Sequence, residues 1–107
     1  MNSLVAFIIA AFCEIAGCFA VWSYFRLGRP AWVLVPAVIL LLLFAYSLTR
    51  VDAAFAGRAY AAYGGIYVIA SIVWLRFAEG VRPDRWDIIG GLVCVSGTLI
   101  IMMGRRV

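Results

Sequence analysis

The sequence contains no histidine and no lysine, and its acidic residues number five in 107. Without histidine there is no imidazole to act as a general base near neutral pH or to ligate zinc. No G-x-S-x-G elbow and no phosphate-binding P-loop is present, so the chain is expected not to be an enzyme. Charged residues make up 13% of the chain, against roughly 25% in a soluble domain. So small a soluble fold could not bury the 67% of residues that are hydrophobic. All nine basic residues are arginines, and they fall one or two at a time at the ends of apolar runs. That distribution anchors membrane loops and gives no basic face for nucleic acid. The three cysteines, Cys13, Cys18 and Cys94, are odd in number and lie inside apolar runs. They read as buried thiols, not as a disulfide framework, and their spacing matches no metal site. No metal and no cofactor is expected.

What remains is a set of four apolar runs. They predict an all-α integral membrane protein, a single domain over residues 1–107 with helices at about 4–25, 31–49, 56–76 and 86–104. The first run has no basic residue before Arg26 and no cleavage-site pattern at its end. It therefore reads as a retained span rather than a signal peptide.

Glu14 is the one charged side chain between Met1 and Arg26. In a span about 33 Å long it falls near the bilayer centre, where a charge costs roughly 2.5–3.5 kcal/mol on insertion scales. An ionisable group at that depth is a functional-site hypothesis; the competing reading is a glutamate that only fixes helix packing. Ala6, Ala10, Cys13, Gly17 and Ala20 share one face of the same helix, and small residues let helices approach closely. Glu14 borders that face.

Arg26-Leu27-Gly28-Arg29-Pro30 reads as a tight turn. Pro36 is expected to bend the second helix, whose leucine run reads as a lipid-facing wall. In the third helix Tyr60, Tyr63, Tyr67 and Trp74 recur at helical spacing, beside Gly64 and Gly65. Such a stripe serves packing, or, with an acidic group, a box of aromatic faces for a cation. Arg58 counts to the opposite side of the helix and reads as an interfacial anchor. Residues 77–87 form the most polar stretch, with Asp84 or Asp87 expected to open the fourth helix. In that helix Gly90, Cys94, Gly97 and Ile101 share a face suited to tight association, often between subunits.

Four spans put both termini on one side, with Arg50, Arg58, Arg105 and Arg106. The other side holds Arg26, Arg29, Arg76, Arg82 and Arg85. Four against five slightly favours cytoplasmic loops after the first and third helices, and permits insertion both ways.

Three segments carry a family resemblance: Cys13-Glu14-Ile15-Ala16-Gly17-Cys18-Phe19, Gly57-Arg58-Ala59-Tyr60-Ala61-Ala62-Tyr63-Gly64-Gly65-Ile66-Tyr67, and Trp74-Leu75-Arg76 with Glu79-Gly80-Val81. Over nearly its whole length the chain resembles the YnfA family of bacterial inner-membrane proteins. That family is in turn similar to the small multidrug resistance transporters. The resemblance implies a homodimer, often antiparallel, in the inner membrane. It implies that Glu14 is the proton and substrate site, lined by Tyr60, Tyr63 and Tyr67, with the Gly90–Gly97 face in the dimer contact. Protons and small organic cations would be the partners, alongside the lipid bilayer. Two residues depart from the multidrug pattern: Tyr63 stands where that branch has tryptophan, and Arg58 has no counterpart. The leading expectation is therefore proton-coupled cation export. The alternatives are a carrier for lipids or anionic headgroups using Arg58, and a non-transporting accessory subunit.

Overall fold

The computed structural model describes residues 2–53 and 55–104. Among them every regular element is helical, and four helices are long and apolar enough to cross a membrane. The helices are α1 (Ser3–Leu27), α2 (Leu34–Leu48), α3 (Ala56–Phe77) and α4 (Arg85–Met103); a short 3-10 turn, Ala31–Val33, leads into α2. The expected anchors Arg105 and Arg106 lie outside the described residues.

The chain divides into two compact units, Met1–Val51 and Asp52–Val107. Each is a helical hairpin: α1 packs on α2, and α3 packs on α4.

The first hairpin begins at Asn2, whose side chain accepts the Leu4 N–H at 2.7 Å. That bond caps one of the orphan donors at the helix start. α1 runs two residues past the expected end, to Leu27, and stops where Gly28 turns left-handed at φ 70°. The Arg29 N–H then donates to the Ser23 carbonyl at 3.1 Å, closing the helix end. Pro36, expected to bend the second helix, instead sits near its start, just after a 3-10 turn. The proline ring clashes with the carbonyl four residues back and cannot donate to it. The backbone therefore takes the tighter 3-10 form over Ala31–Val33, and Pro36 sits in the first turn of α2, where its missing donor costs nothing.

The small face of α1 meets α2. Ala6, Ala10 and Cys13 are buried, and Gly17 packs close against α2. A Cβ at Gly17 would lie 3.0 Å from Leu41 Cγ and 3.2 Å from the Ala37 carbonyl oxygen. Association in lipid rests on such shape matching, because lipid offers no hydrophobic gain from pairing helices.

In the second hairpin α3 ends at Phe77, and the Val81 N–H reaches back to the Leu75 carbonyl at 3.0 Å across Gly80, at φ 72°. α4 opens on a reciprocal cap. Asp84 accepts the Trp86 and Asp87 N–H groups at 3.0 Å, and Asp87 accepts the Asp84 N–H at 3.0 Å. Asp84→Ala removes the cap, and we expect it to cost about 1 kcal/mol, read as a lowered melting temperature of the detergent-solubilised protein.

Each helix carries one serine whose hydroxyl donates to a carbonyl of its own helix. Ser23 bonds Ala20, Ser47 bonds Leu43, Ser71 bonds Tyr67 and Ser96 bonds Leu92, at 2.7–2.9 Å. In hydrocarbon an unbonded hydroxyl is costly, and this back-bonding satisfies it within one helix. The outer surfaces are apolar: Ile88, Ile89, Leu92, Val93 and Ile100 of α4 are all exposed. A contiguous apolar surface of that extent suits lipid as solvent.

Candidate functional site

Glu14 lies one residue from Ile15, the midpoint of α1. Its side chain is half-buried, between buried Cys13 and Ile15 and one turn before buried Gly17. The next charged side chain along α1 is Arg26, about 18 Å further along the helix axis. The carboxylate thus has no counter-charge on its own helix within a single turn, where such pairs form. A carboxylate withdrawn from water is stabilised by binding a proton or a cation. One side chain can hold either, which is the minimum equipment for exchange.

The tyrosines belong to the second hairpin. Tyr63 is 6% exposed, and its ring centroid lies 6.0 Å from that of half-buried Tyr67. Tyr60 is 58% exposed. Counting 100° per residue, Tyr60 and Tyr67 lie about 60° and 40° from Tyr63 on the same side, so the three share one face about 60° wide. The structure pairs Tyr63 with Tyr67 and leaves Tyr60 exposed, although it shares their face. Arg58 is exposed, with its guanidinium 5.7 Å from the Phe55 ring centroid. Arg26 over Trp22 at 4.6 Å, Arg76 over Phe77 at 5.5 Å and Arg85 over Trp86 at 4.9 Å repeat the arrangement. A cation over an aromatic face is attracted by the ring quadrupole. At a span end, the pair keeps its ring at the interface and its charge in the wet layer.

The glycines divide by role. Gly65 faces α4: a Cβ there would overlap the Thr98 hydroxyl and lie 2.7 Å from Thr98 Cβ and 3.0 Å from the Cys94 carbonyl oxygen. Gly91, which the spacing did not single out, faces α3, with a Cβ position 3.1 Å from Ile72 Cδ1. Gly64, Gly90 and Gly97 each look onto open space, and Cys94 is exposed. In both Gly-Gly pairs one glycine closes the hairpin and its neighbour is left outside. Among the described residues no three Cys, Asp or Glu side chains cluster as a metal site would require.

Four apolar spans in two hairpins, with one carboxylate near the middle of α1, define a small multi-pass membrane protein. No solved structure matches the chain. Its sequence matches the family described as "Uncharacterised BCR, YnfA/UPF0060 family" over residues 1–107, the whole chain. The protein belongs to the YnfA family.

Proposed function

We propose that this protein is a proton-coupled exporter of small organic or hydrophobic cations in the bacterial inner membrane, acting as a homodimer. The observation that carries the reading is Glu14, the one carboxylate of α1, at mid-span and half-buried. Exchange needs no covalent chemistry. With the site open to one side, a cation binds the Glu14 carboxylate and the proton leaves to water. With the site open to the other side, a proton replaces the cation. Because proton and cation compete for one group, each drives the release of the other. Tyr63 and Tyr67 are assigned to substrate contact, since neighbouring phenol rings offer the π faces that attract organic cations. Tyr60 is assigned a weaker contact. The open glycine face of α4, Gly90 to Gly97, is assigned to association with a second copy.

The experiment is cation-induced proton release from purified protein in weakly buffered detergent near neutral pH, across guanidinium and quaternary ammonium compounds. The expected result is release that saturates with cation concentration, and binding that weakens on acidification. A folded protein that releases no protons to any compound would turn attention to Arg58, whose charge suits an anionic headgroup. In that case Arg58→Ala removes activity.

A further inference from the structure

The turn that closes the first hairpin is exposed without a break from Phe25 to Trp32. It mixes two kinds of group that no single bulk solvent suits. Phe25 is 72% and Trp32 68% exposed, and Trp22 and Leu27 stand beside them, about half exposed. Among these apolar groups sit Arg26, stacked on the Trp22 ring, and Arg29, an exposed residue three positions on. The backbone between them is fixed by the left-handed Gly28 and by the Arg29 N–H bond to Ser23. Water would solvate the guanidinium groups and strand the rings; hydrocarbon would do the reverse. The headgroup layer accommodates both.

Charge decides which headgroup. No carboxylate occurs anywhere from Ile15 to Val51, so nothing in this hairpin's sequence beyond Glu14 offsets Arg26 and Arg29. The turn between α3 and α4 differs: there Arg76, Arg82 and Arg85 are matched by Glu79, Asp84 and Asp87. A planar guanidinium presents paired donors that fit phosphate oxygens. We propose that the α1–α2 turn is a docking surface for the phosphate of an anionic phospholipid, held by Arg26 and Arg29 with the flanking aromatic rings at its glycerol level. The proposal stands independently of exchange at Glu14.

The test uses the full-length protein in detergent, mixed with phosphatidylglycerol or with phosphatidylcholine of the same acyl chains. Retained lipid is counted by native mass spectrometry. We expect the wild type to prefer phosphatidylglycerol and each arginine removed to reduce that preference roughly fivefold. Arg26→Gln with Arg29→Gln should approach the phosphatidylcholine level, whereas Arg82→Gln should leave the preference intact. Arg29→Gln alone, at an exposed side chain outside the helices, carries the test if the double variant is unstable. Three results would overturn the proposal: no preference in the wild type, an unchanged preference in folded Arg29→Gln, or displacement of the lipid by inorganic phosphate at equal concentration. The last would mean that a free anion suffices and no lipid surface is recognised.

Discussion

Glu14→Gln is expected to abolish cation-induced proton release while leaving helix content and oligomeric state unchanged. The substitution keeps the size of the side chain and a hydrogen-bonding carbonyl, and removes the charge and the titrating proton. Two losses follow. No proton remains at this position to be displaced, so release falls to background. A bound cation also meets a neutral amide in place of a carboxylate. Leaving a buried charge without its partner costs about 3–5 kcal/mol, and at this half-buried position the loss in affinity should approach the roughly hundredfold at the low end of that range. Glu14→Asp separates charge from reach: it keeps the proton and retracts the carboxylate by one methylene. Release should persist there with weakened affinity. Equal proton release by folded Glu14→Gln and wild type would remove Glu14 from the mechanism.

The second large effect concerns packing. Gly65→Ala should destabilise the α3–α4 hairpin by roughly 1–3 kcal/mol, the usual range for overpacking. The new methyl would overlap the Thr98 hydroxyl and lie 2.7 Å from Thr98 Cβ. With the Cys94 carbonyl oxygen at 3.0 Å, backbone must move as well. Thermal unfolding in detergent reads the loss, and a Thr98→Gly background should recover much of it by vacating the same space. The adjacent Gly64→Ala is the control, because nothing lies within 4 Å of its added methyl. It should leave the hairpin's stability within a few tenths of a kcal/mol of wild type. Any large effect of Gly64→Ala would then report on contact with another chain. If Gly65→Ala melts as the wild type does, the close approach of α3 to α4 does not hold in solution.

The spans were the most legible part of the sequence, for a simple reason. A run of apolar residues bounded by Arg26, Arg50, Arg76 and Asp84 has few other ways to be stable. The turn at Gly28 and the cap at Asp84 were legible too, since each depends on chemistry within a few residues. What could not be read was which of two neighbouring glycines packs. Gly90 and Gly91 differ by about 100° around the helix, and the stripe through Gly90, Cys94 and Gly97 looks as well suited to a partner as the face through Gly91 and Thr98. Only the facing residues decide: Ile72 stands against Gly91, and Thr98 against Gly65. Pro36 taught a related lesson. Its ring broke the helical form upstream of itself, because the clash is with the carbonyl four positions earlier. At the candidate site the carboxylate of Glu14 stood out by its solitude. The roles of the tyrosines did not, because rings that share one helix face give no sign of which of them is covered.

The four self-bonded serines bear on how the hairpins can move. A hydroxyl that donates to its own helix places no claim on a neighbour. When one helix slips or rolls against the next, these polar groups travel with their backbone and no bond is broken. Shape contributes to the resistance to such motion, at notches such as Gly17 against Leu41 and Gly65 against Thr98. Latches made of fit add no bonds that would have to be exchanged in a solvent without water.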